Sequence, residues 1–525
     1  MNIRQAVFVL TASLLLAPIA LAQAPSGEIT LEVLSRYDHG GFDEGAAEIV
    51  AYDATQQRLY VVNSQAVTLD VLDVSNPADL TLEAQLDMTQ YGAGANSVDV
   101  HEGHVAVAIE AEGVDENGHV LILDGDANVL AEYEVGVLPD MVTFTPNGRH
   151  IVTANEGEPS DDYSIDPEGS ISIIDLPESG VEGATVRHVT FGAFNGQEDA
   201  LREQGVRIYG PGASVSQDLE PEYVAVTPDS TAAFVTLQEN NAVAKIDLVA
   251  GTVEAIVPLG YKNWSEGSQI DVNDRDEAIN LGNWPIFGMY QPDAIDGFAA
   301  HGSAYVVTAN EGDARDYDTY SEETRVEDLT LDPTVFPNAA ELQSESMLGR
   351  LETTTAIGDI DGDGDHDRIY AYGARSITIW GEDGSLVWDS GDQIEQAIAA
   401  SRPELFGADN DESVAESYDS RSDAKGAEPE GIVVGEINGA QYAFVGLERI
   451  GGVMTWNVSN PESPSLAGYH NDRPIDTPAD SEEGGDLGPE GLAFIHADLS
   501  PTGEPLLVVA HEISGTTVVY RVHVN

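Results

Sequence analysis

Cysteine is absent from this 525-residue chain and lysine nearly so, occurring only as Lys245, Lys262 and Lys425. The first absence excludes disulfide staples and thiolate metal sites; a chain this long can bury a large core without them. The second belongs to a wider deficit of cationic charge. There are 21 Lys+Arg against 93 Asp+Glu, a formal net charge of −72. A surface so anionic excludes nucleic acid and anionic membrane as partners. Long apolar runs are missing after the N-terminus, so no later segment reaches the ~20 residues of a spanning helix. Hydrolase and nucleotide-binding signatures are missing too: there is no G-x-S-x-G elbow, P-loop or H-E-x-x-H.

Residues 1–22 read as a signal peptide. Arg4 marks a short basic region, Ala6 to Leu16 is apolar, and Ala20-Leu21-Ala22 supplies a small-residue cleavage site. The C-terminus ends in a strand pattern with no sorting motif, so an exported product, periplasmic or extracellular, is expected. Most of the acidic residues fit a solvated surface of halophilic type, where salt screens self-repulsion. Counting carboxylates therefore identifies nothing; only their placement can.

Placement is set by repetition. Val152-Thr153-Ala154-Asn155-Glu156-Gly157-Glu158 returns as Val307-Thr308-Ala309-Asn310-Glu311-Gly312-Asp313. A second phrase opens each unit, at Ala47-Glu48, Asn96-Ser97, Pro139-Asp140, Pro221-Glu222, Pro292-Asp293, Pro429-Glu430 and Pro489-Glu490. Period-two runs of Val, Ile, Thr and Tyr follow, separated by turns such as Thr227-Pro228-Asp229. Repeated units of about four antiparallel strands predict an all-β chain folded as a β-propeller. Seven openings predict seven blades, with six or eight the neighbouring counts; seven copies of one unit argue against a β-sandwich. The last unit supplies only three strands, Leu492 to His496, Leu506 to Ala510 and Thr516 to Val522. Ile29 to Leu34 is expected to complete it and so remove an open sheet edge. Residues 23–525 read as one domain with long insertions at about 176–219, 253–291 and 312–427. Within the last, Ile369 to Trp380 and Leu386 to Trp388 are expected to finish the fifth blade. Gln393 to Ala400 is expected to be helical and Asp409 to Glu428 a flexible polar loop.

Strand order in a propeller brings the loop entering the innermost strand and the loop leaving the second strand to one face. Glu48, Asp140, Glu222, Asp293, Glu430 and Glu490 are thus expected around one channel mouth, with Asn96 as the neutral member. Glu110, Glu156, Glu239, Glu311, Glu448 and Glu512 fall at larger radius on the same face. Carboxylates so close raise one another's pKa unless cations neutralise them. Oxygen ligands without cysteine suit Ca2+ or Mg2+; the competing reading is a ring of acids that caps backbone N–H groups.

Asp359-Ile360-Asp361-Gly362-Asp363-Gly364-Asp365-His366-Asp367 has the alternating carboxylates and turn glycine of a calcium loop. Tyr370 stands where an EF-hand has its closing Glu, and the flanks read as strands, so a β-type calcium loop is expected; the bland alternative is an acidic turn. A phosphoryl substrate would need cationic donors beside bound metal, and Arg315, Arg449 and His511 are the candidates. For each, a salt bridge to a neighbouring acid competes with that role. Asn263-Trp264-Ser265 and Asn457-Val458-Ser459 match glycosylation sequons.

Four stretches together resemble the choice-of-anchor I family of exported propeller proteins. They are Ala47 to Tyr52, Asn155 to Pro159 with Gly169 to Ile173, Ala309 to Tyr317, and Gly488 to Leu492. The family includes proteins similar to mesenchyme-specific surface glycoproteins, and some bacterial members are labelled alkaline phosphatase- or phytase-like. The resemblance implies an extracytoplasmic, calcium-associated propeller. Two readings follow: a calcium-binding module that acts as a binding surface or scaffold for an extracellular partner, or a calcium-dependent phosphoester hydrolase acting on a phosphorylated small molecule.

Overall fold

The alternating runs fold into seven four-stranded antiparallel sheets in the computed structural model, which describes residues 29–481 and 483–525. The signal-peptide segment 1–22 lies outside the described residues. Each sheet begins with an inner strand. In order these are Val50–Asp53, Gly94–His101, Pro139–Phe144, Val224–Val226, Ile295–Ala300, Pro429–Ile437 and Pro489–Ile495. The inner strands touch one another in cyclic order and the last meets the first, which closes a ring.

Burial explains the pattern. Second and third strands lie between neighbouring sheets and are buried on both faces, as in His150–Asn155 and Ser170–Asp175. Outer strands such as Thr81–Asp87 keep one face in water and alternate accordingly. The apolar cores sit between sheets. Val50, Leu59, Val61 and Leu72 of the first sheet pack on Ile495, Leu506, Val508 and Val519 of the seventh.

Glycine in the openings permits the close approach of inner strands. A β-carbon at Gly431 would run into the carbonyl of Glu490, and one at Gly491 into the carbonyl of Glu48. Gly491→Ala is therefore expected to force the first and seventh sheets apart and cost about 1–3 kcal/mol, the usual range for overpacking. The check is a thermal melt against the parent; an unchanged midpoint would mean that the ring is not tightly closed there.

The N-terminal strand Ile29–Asp38 completes the seventh sheet. It pairs antiparallel with Thr516–Val524 from Ile29 opposite Val524 to Asp38 opposite Thr516, with a bulge between Val33 and Ser35. Ile29 and Leu31 enter the core between the sixth and seventh sheets.

The insertions are more ordered than their composition suggested. The first carries the outer strand Thr185–Thr190 and the helices Glu198–Gln204 and Val215–Asp218. The fifth sheet is finished by Ser376–Gly381 and Leu386–Asp389, while Tyr370–Ala371 joins Tyr261–Asn263 and Phe287–Met289 in a small outer sheet. Gln393–Ser401 is helical as expected. Residues 409–428, expected as a flexible polar loop, run as turns around the short helix Val414–Ser417 and are packed down. Asn410, Ser417, Asp419, Ser422, Asp423 and Glu428 are buried, because Arg325 and Arg350 both bind Asp423 (2.6 and 2.9 Å) and Arg421 binds Glu428.

Candidate metal centre

The repeated phrase has a structural half and an acidic half. In its structural half Thr153 donates to Asn155 (3.0 Å), and the Asn155 amide donates to Ser170 and Ser172 of the next strand. The second copy does the same with Thr308, Asn310, Ser376 and Thr378. These buried ladders lock the end of the second strand, so the residue that follows, Glu156 or Glu311, leaves the sheet at a fixed point. The inner openings are aimed by a matching backbone device. Leu138, Gln291 and Glu428, each the residue before the opening proline, have positive φ values of 48°, 41° and 51°. A left-handed conformation there costs on the order of 1 kcal/mol, and it turns the chain so that the next acid enters the ring. The two halves are tied together in three sheets: the amides of Glu156, Glu448 and Glu512 donate to the carbonyls of Leu138, Glu428 and Gly488, all at 2.8 Å.

The carboxylates converge most tightly on the side of the fifth to seventh sheets. Oxygens of Asp293, Glu311 and Glu430 lie within 4.8 Å of one another, as do those of Glu430, Glu448 and Glu512, and of Glu311, Glu428 and Glu448. Glu48 accepts from Ser64, and Asn96 donates to the carbonyl of Pro139 (3.2 Å). One oxygen each of Glu222, Glu239, Glu430 and Glu490 is buried with no hydrogen-bond partner. Glu222 and Glu239 are only 8% and 7% exposed.

Electrostatics follow from that crowding. Burial, with Glu48, Glu158 and Glu110 nearby, pushes Asp140 up to about 7. Burial also lifts Glu512 to about 7, with Glu48 adding to it. Burial and neighbouring acids hold Glu156, Glu222, Asp293, Glu430 and Glu490 well above the usual carboxylate range. The acids act on one another between sheets: after burial, Glu239, Asp293, Glu156 and Asp140 raise Glu222, and Glu512, Glu48 and Asp293 raise Glu490.

Lys425 enters this acidic side from the 409–428 segment. Its Nζ lies 2.6 Å from Glu311 and 3.0 Å from Glu428. Burial opposes its charge, but Glu311, Glu428 and Asp313 more than offset that and hold it well above its ordinary value. Glu428 is the counter-case among the acids. Burial would raise it, yet Lys425, Arg421 and Arg449 hold it well below the usual range. The inner-strand phrases do not point to Lys425; its one signal in the sequence is lysine scarcity.

The three cationic candidates are placed differently. Arg449 is partly exposed at the mouth, 3.2 Å from both Glu428 and Glu448. Arg315 is buried, with Asp218 at 2.8 Å and Glu220 at 3.0 Å, its guanidinium over Tyr209. His511 is buried, and burial lowers its pKa while Asp486 partly opposes the shift.

The aspartate loop forms a separate outer cluster. Asp359 accepts from the amides of Gly362 (2.7 Å) and Gly364 (3.0 Å), and Asp367 accepts from Ile360 (2.8 Å). Two trios share Asp367: Asp359 with Asp361, and Asp365 with Asp332. Asp332 comes from outside the motif, brought in by the bridge between Leu331 and His366. Asp363 raises the carboxyl of Asp361, and Asp365 is pushed up to about 6 by desolvation and Asp363.

A closed ring of four-stranded sheets with carboxylates gathered at one mouth defines an acidic β-propeller. The chain belongs to the choice-of-anchor I domain family, whose model matches residues 48–461. It is similar to Gigasin-3a of Magallana gigas, 31% identical over 190 residues that cover 34% of this chain and 66% of that protein. It is also similar to the mesenchyme-specific cell surface glycoprotein of Strongylocentrotus purpuratus, 28% identical over 315 residues covering 52% and 40%. The chain thus spans less than two thirds of the length of either relative. Similar solved structures include Kuenenia stuttgartiensis hydrazine synthase (11% identity, TM-score 0.47, 93% of this chain and 98% of that chain). A streptogramin B lyase structure is similar at 10% identity and TM-score 0.44, over 96% and 100% of the two chains. Among the described residues no helix is long and apolar enough to cross a membrane.

Proposed function

We propose that this is a surface or exported propeller that holds Ca2+ at its acidic mouth and in its aspartate loop and serves as a binding or scaffold module. The observation that carries the reading is the set of buried, unpartnered carboxylate oxygens on Glu222, Glu239, Glu430 and Glu490. A buried polar oxygen without a partner costs about 1–3 kcal/mol; an ion between Asp293, Glu311 and Glu430 would satisfy the one on Glu430. Hard carboxylate oxygens at flexible spacing favour Ca2+ over Mg2+. Asp293, Glu311, Glu430, Glu448 and Glu512 would supply ligands on the crowded side, with Asp140, Glu222 and Glu490 facing them. In the outer loop Asp359, Asp361, Asp363, Asp365, Asp367 and Asp332 would supply the rest.

Calcium counting on chelator-stripped and reloaded protein tests this. Asp361→Asn with Asp363→Asn should remove the loop ion only, and Glu430→Gln with Glu448→Gln the mouth ions only. Equal ion counts in all three proteins would end the calcium reading.

A hydrolytic reading is kept by one feature, the placement of Lys425 and Arg449 beside the carboxylate trios. There they would face a phosphoryl oxygen held by the metal. Turnover of a generic phosphomonoester or phytate that chelator abolishes and Ca2+ restores would establish it; Arg315 is engaged by Asp218 and Glu220, and His511 is buried with its Nδ1 unpartnered.

A further inference from the structure

An outer lobe carries a second concave site that the mouth does not explain. The small sheet formed by Tyr261–Asn263, Phe287–Met289 and Tyr370–Ala371 packs with residues 326–351 around its own core, which includes Trp264, Ile286, Phe336, Leu348 and Ile369. On this lobe opens a pocket of about 590 Å³ whose wall includes Trp284, Phe287, Phe336 and Met347 and whose polar residues include Asn338 and Arg368. That is the composition of a small-molecule site, apolar faces with a few placed polar groups. The Trp284 indole N–H donates to the carbonyl of Ile270 (3.2 Å), which fixes its ring.

Arg368 sets the ligand's charge. It is exposed and lies over the Phe287 ring at 5.2 Å, with Tyr370 Oη at 3.4 Å. In a chain of net charge −72, it is the one exposed Lys or Arg among the described residues with no carboxylate within ion-pair distance. Asp367 lines the pocket beside it, but this carboxylate forms no ion pair with Arg368 and accepts from the amide of Ile360 within the aspartate loop (2.8 Å). A planar guanidinium braced on a ring is suited to bidentate contact with a carboxylate. The distant acids of the surface are screened beyond about 8 Å at physiological salt, so they do not forbid a local anion.

Asn263, Asn283 and Asn338 line the same pocket. Asn283 spends its amide N–H groups on the carbonyls of Trp264 and Ser268 and leaves its oxygen to accept. The Asn338 side chain makes no cap to the helix that follows it. A fixed indole face, the accepting oxygen of Asn283, the uncommitted amide of Asn338 and an unpaired arginine match the face, hydroxyls and carboxylate of an acidic sugar. We propose that this pocket binds a uronic acid unit of an acidic saccharide, with Arg368 on the carboxylate, Trp284 and Phe287 against the ring face, and Asn283 and Asn338 on hydroxyls. Asp367 belongs both to the pocket wall and to the aspartate loop, but none of the groups assigned to the saccharide is a proposed calcium ligand, so the proposal does not rest on the calcium reading.

The test is calorimetric titration of the full protein with a galacturonate trimer, in chelator and in Ca2+, beside a neutral galactose trimer. Saturable binding is expected in both buffers, at least tenfold tighter than for the neutral trimer. Arg368→Gln is expected to weaken it at least tenfold with an unchanged melting temperature. Val335→Trp, a substitution at a position 48% exposed in the pocket lining, should block it as well. Absence of binding at millimolar trimer, or equal affinity of Arg368→Gln, overturns the proposal. Equal affinity for the neutral trimer overturns the acidic ligand. Binding that vanishes in chelator and ignores Arg368→Gln moves recognition to the aspartate loop and overturns the pocket.

Discussion

Chelator-stripped protein is expected to melt several degrees higher at pH 5 than at pH 8, and millimolar Ca2+ to raise the pH 8 value far more than the pH 5 value. The sign comes from the mouth. Asp140 and Glu512 are pushed up to about 7 by burial and neighbouring acids, and Glu156, Glu222, Asp293, Glu430, Glu448 and Glu490 also stand well above the usual range. In the unfolded chain these groups titrate near 4. Between about pH 4 and 7 the folded state therefore binds more protons than the unfolded one, so stability falls as pH rises through that window. The proton-linked stability is complete below the unfolded pKa and gone above the folded one.

Among the described residues two histidines act in the opposite direction. His470 and His511 are pushed down by burial, so below about 6.5 the unfolded state binds their protons preferentially and stability is lost. Two histidines against eight carboxylates leave the carboxylates in control. Carboxylates held well below normal, such as Glu428, lose their contribution only as pH falls below the unfolded value near 4, outside the window. An unfolding entropy of about 2.1 cal/mol/K per residue makes roughly 1 kcal/mol equivalent to one degree for a chain of about 500 residues. A net few kcal/mol of proton linkage is then a shift of a few degrees. Calcium at 100 times its Kd adds about 2.7 kcal/mol per site, and at pH 5 protons compete for the same oxygens. A melting temperature that falls from pH 8 to pH 5 in chelator, or equal calcium increments at both pH values, would remove the mouth as a metal centre.

Much of this site was legible because its residues sit at fixed places in a repeat. Pro-Asp and Pro-Glu openings recur at 139, 221, 292, 429 and 489, and each puts an acid at the start of an inner strand. What the repeat cannot reveal is convergence between units. The trio of Asp293, Glu311 and Glu430 joins adjacent sheets, and which acids come closest depends on ring curvature rather than on spacing along the chain. Lys425 and Asp332 arrive from insertions, where no periodicity announces them. The burial of the 409–428 segment is hidden for a related reason. Its polar composition suits a solvated loop, but its polar side chains are buried against arginines distant in sequence, as Asp423 is against Arg325 and Arg350. The left-handed residues before the opening prolines were also invisible, since Leu138 and Gln291 carry none of the preference that marks glycine. Backbone strain of this kind concentrates at functional sites, and here it sits one residue before Asp140's and Asp293's openings.

Deleting residues 29–38 is expected to drive the protein into soluble oligomers and aggregate larger than the parent forms, and adding the deleted strand as a synthetic peptide to reverse this. Ile29–Asp38 supplies the outer strand of the seventh sheet and pairs with Thr516–Val524 along its whole length. Without it, a strand of nine residues would present unpaired N–H and C=O groups at an open edge, a template for pairing with another chain. Ile29 and Leu31 are 3% and 9% exposed, and at about 1.5–3 kcal/mol for each buried side chain their loss alone weakens the seventh sheet appreciably. The other six sheets keep their own outer strands, so the damage should start at one edge. Size-exclusion chromatography with light scattering reads the association, and a melt reads a drop of several degrees. Peptide 29–38 should restore both by adding a strand to the exposed edge. A scrambled peptide that rescues equally well would mean that nonspecific coating is at work. A truncated chain that keeps the parent's size and melts like it would mean that the ring is held shut by contact between the inner strands of the first and seventh sheets alone.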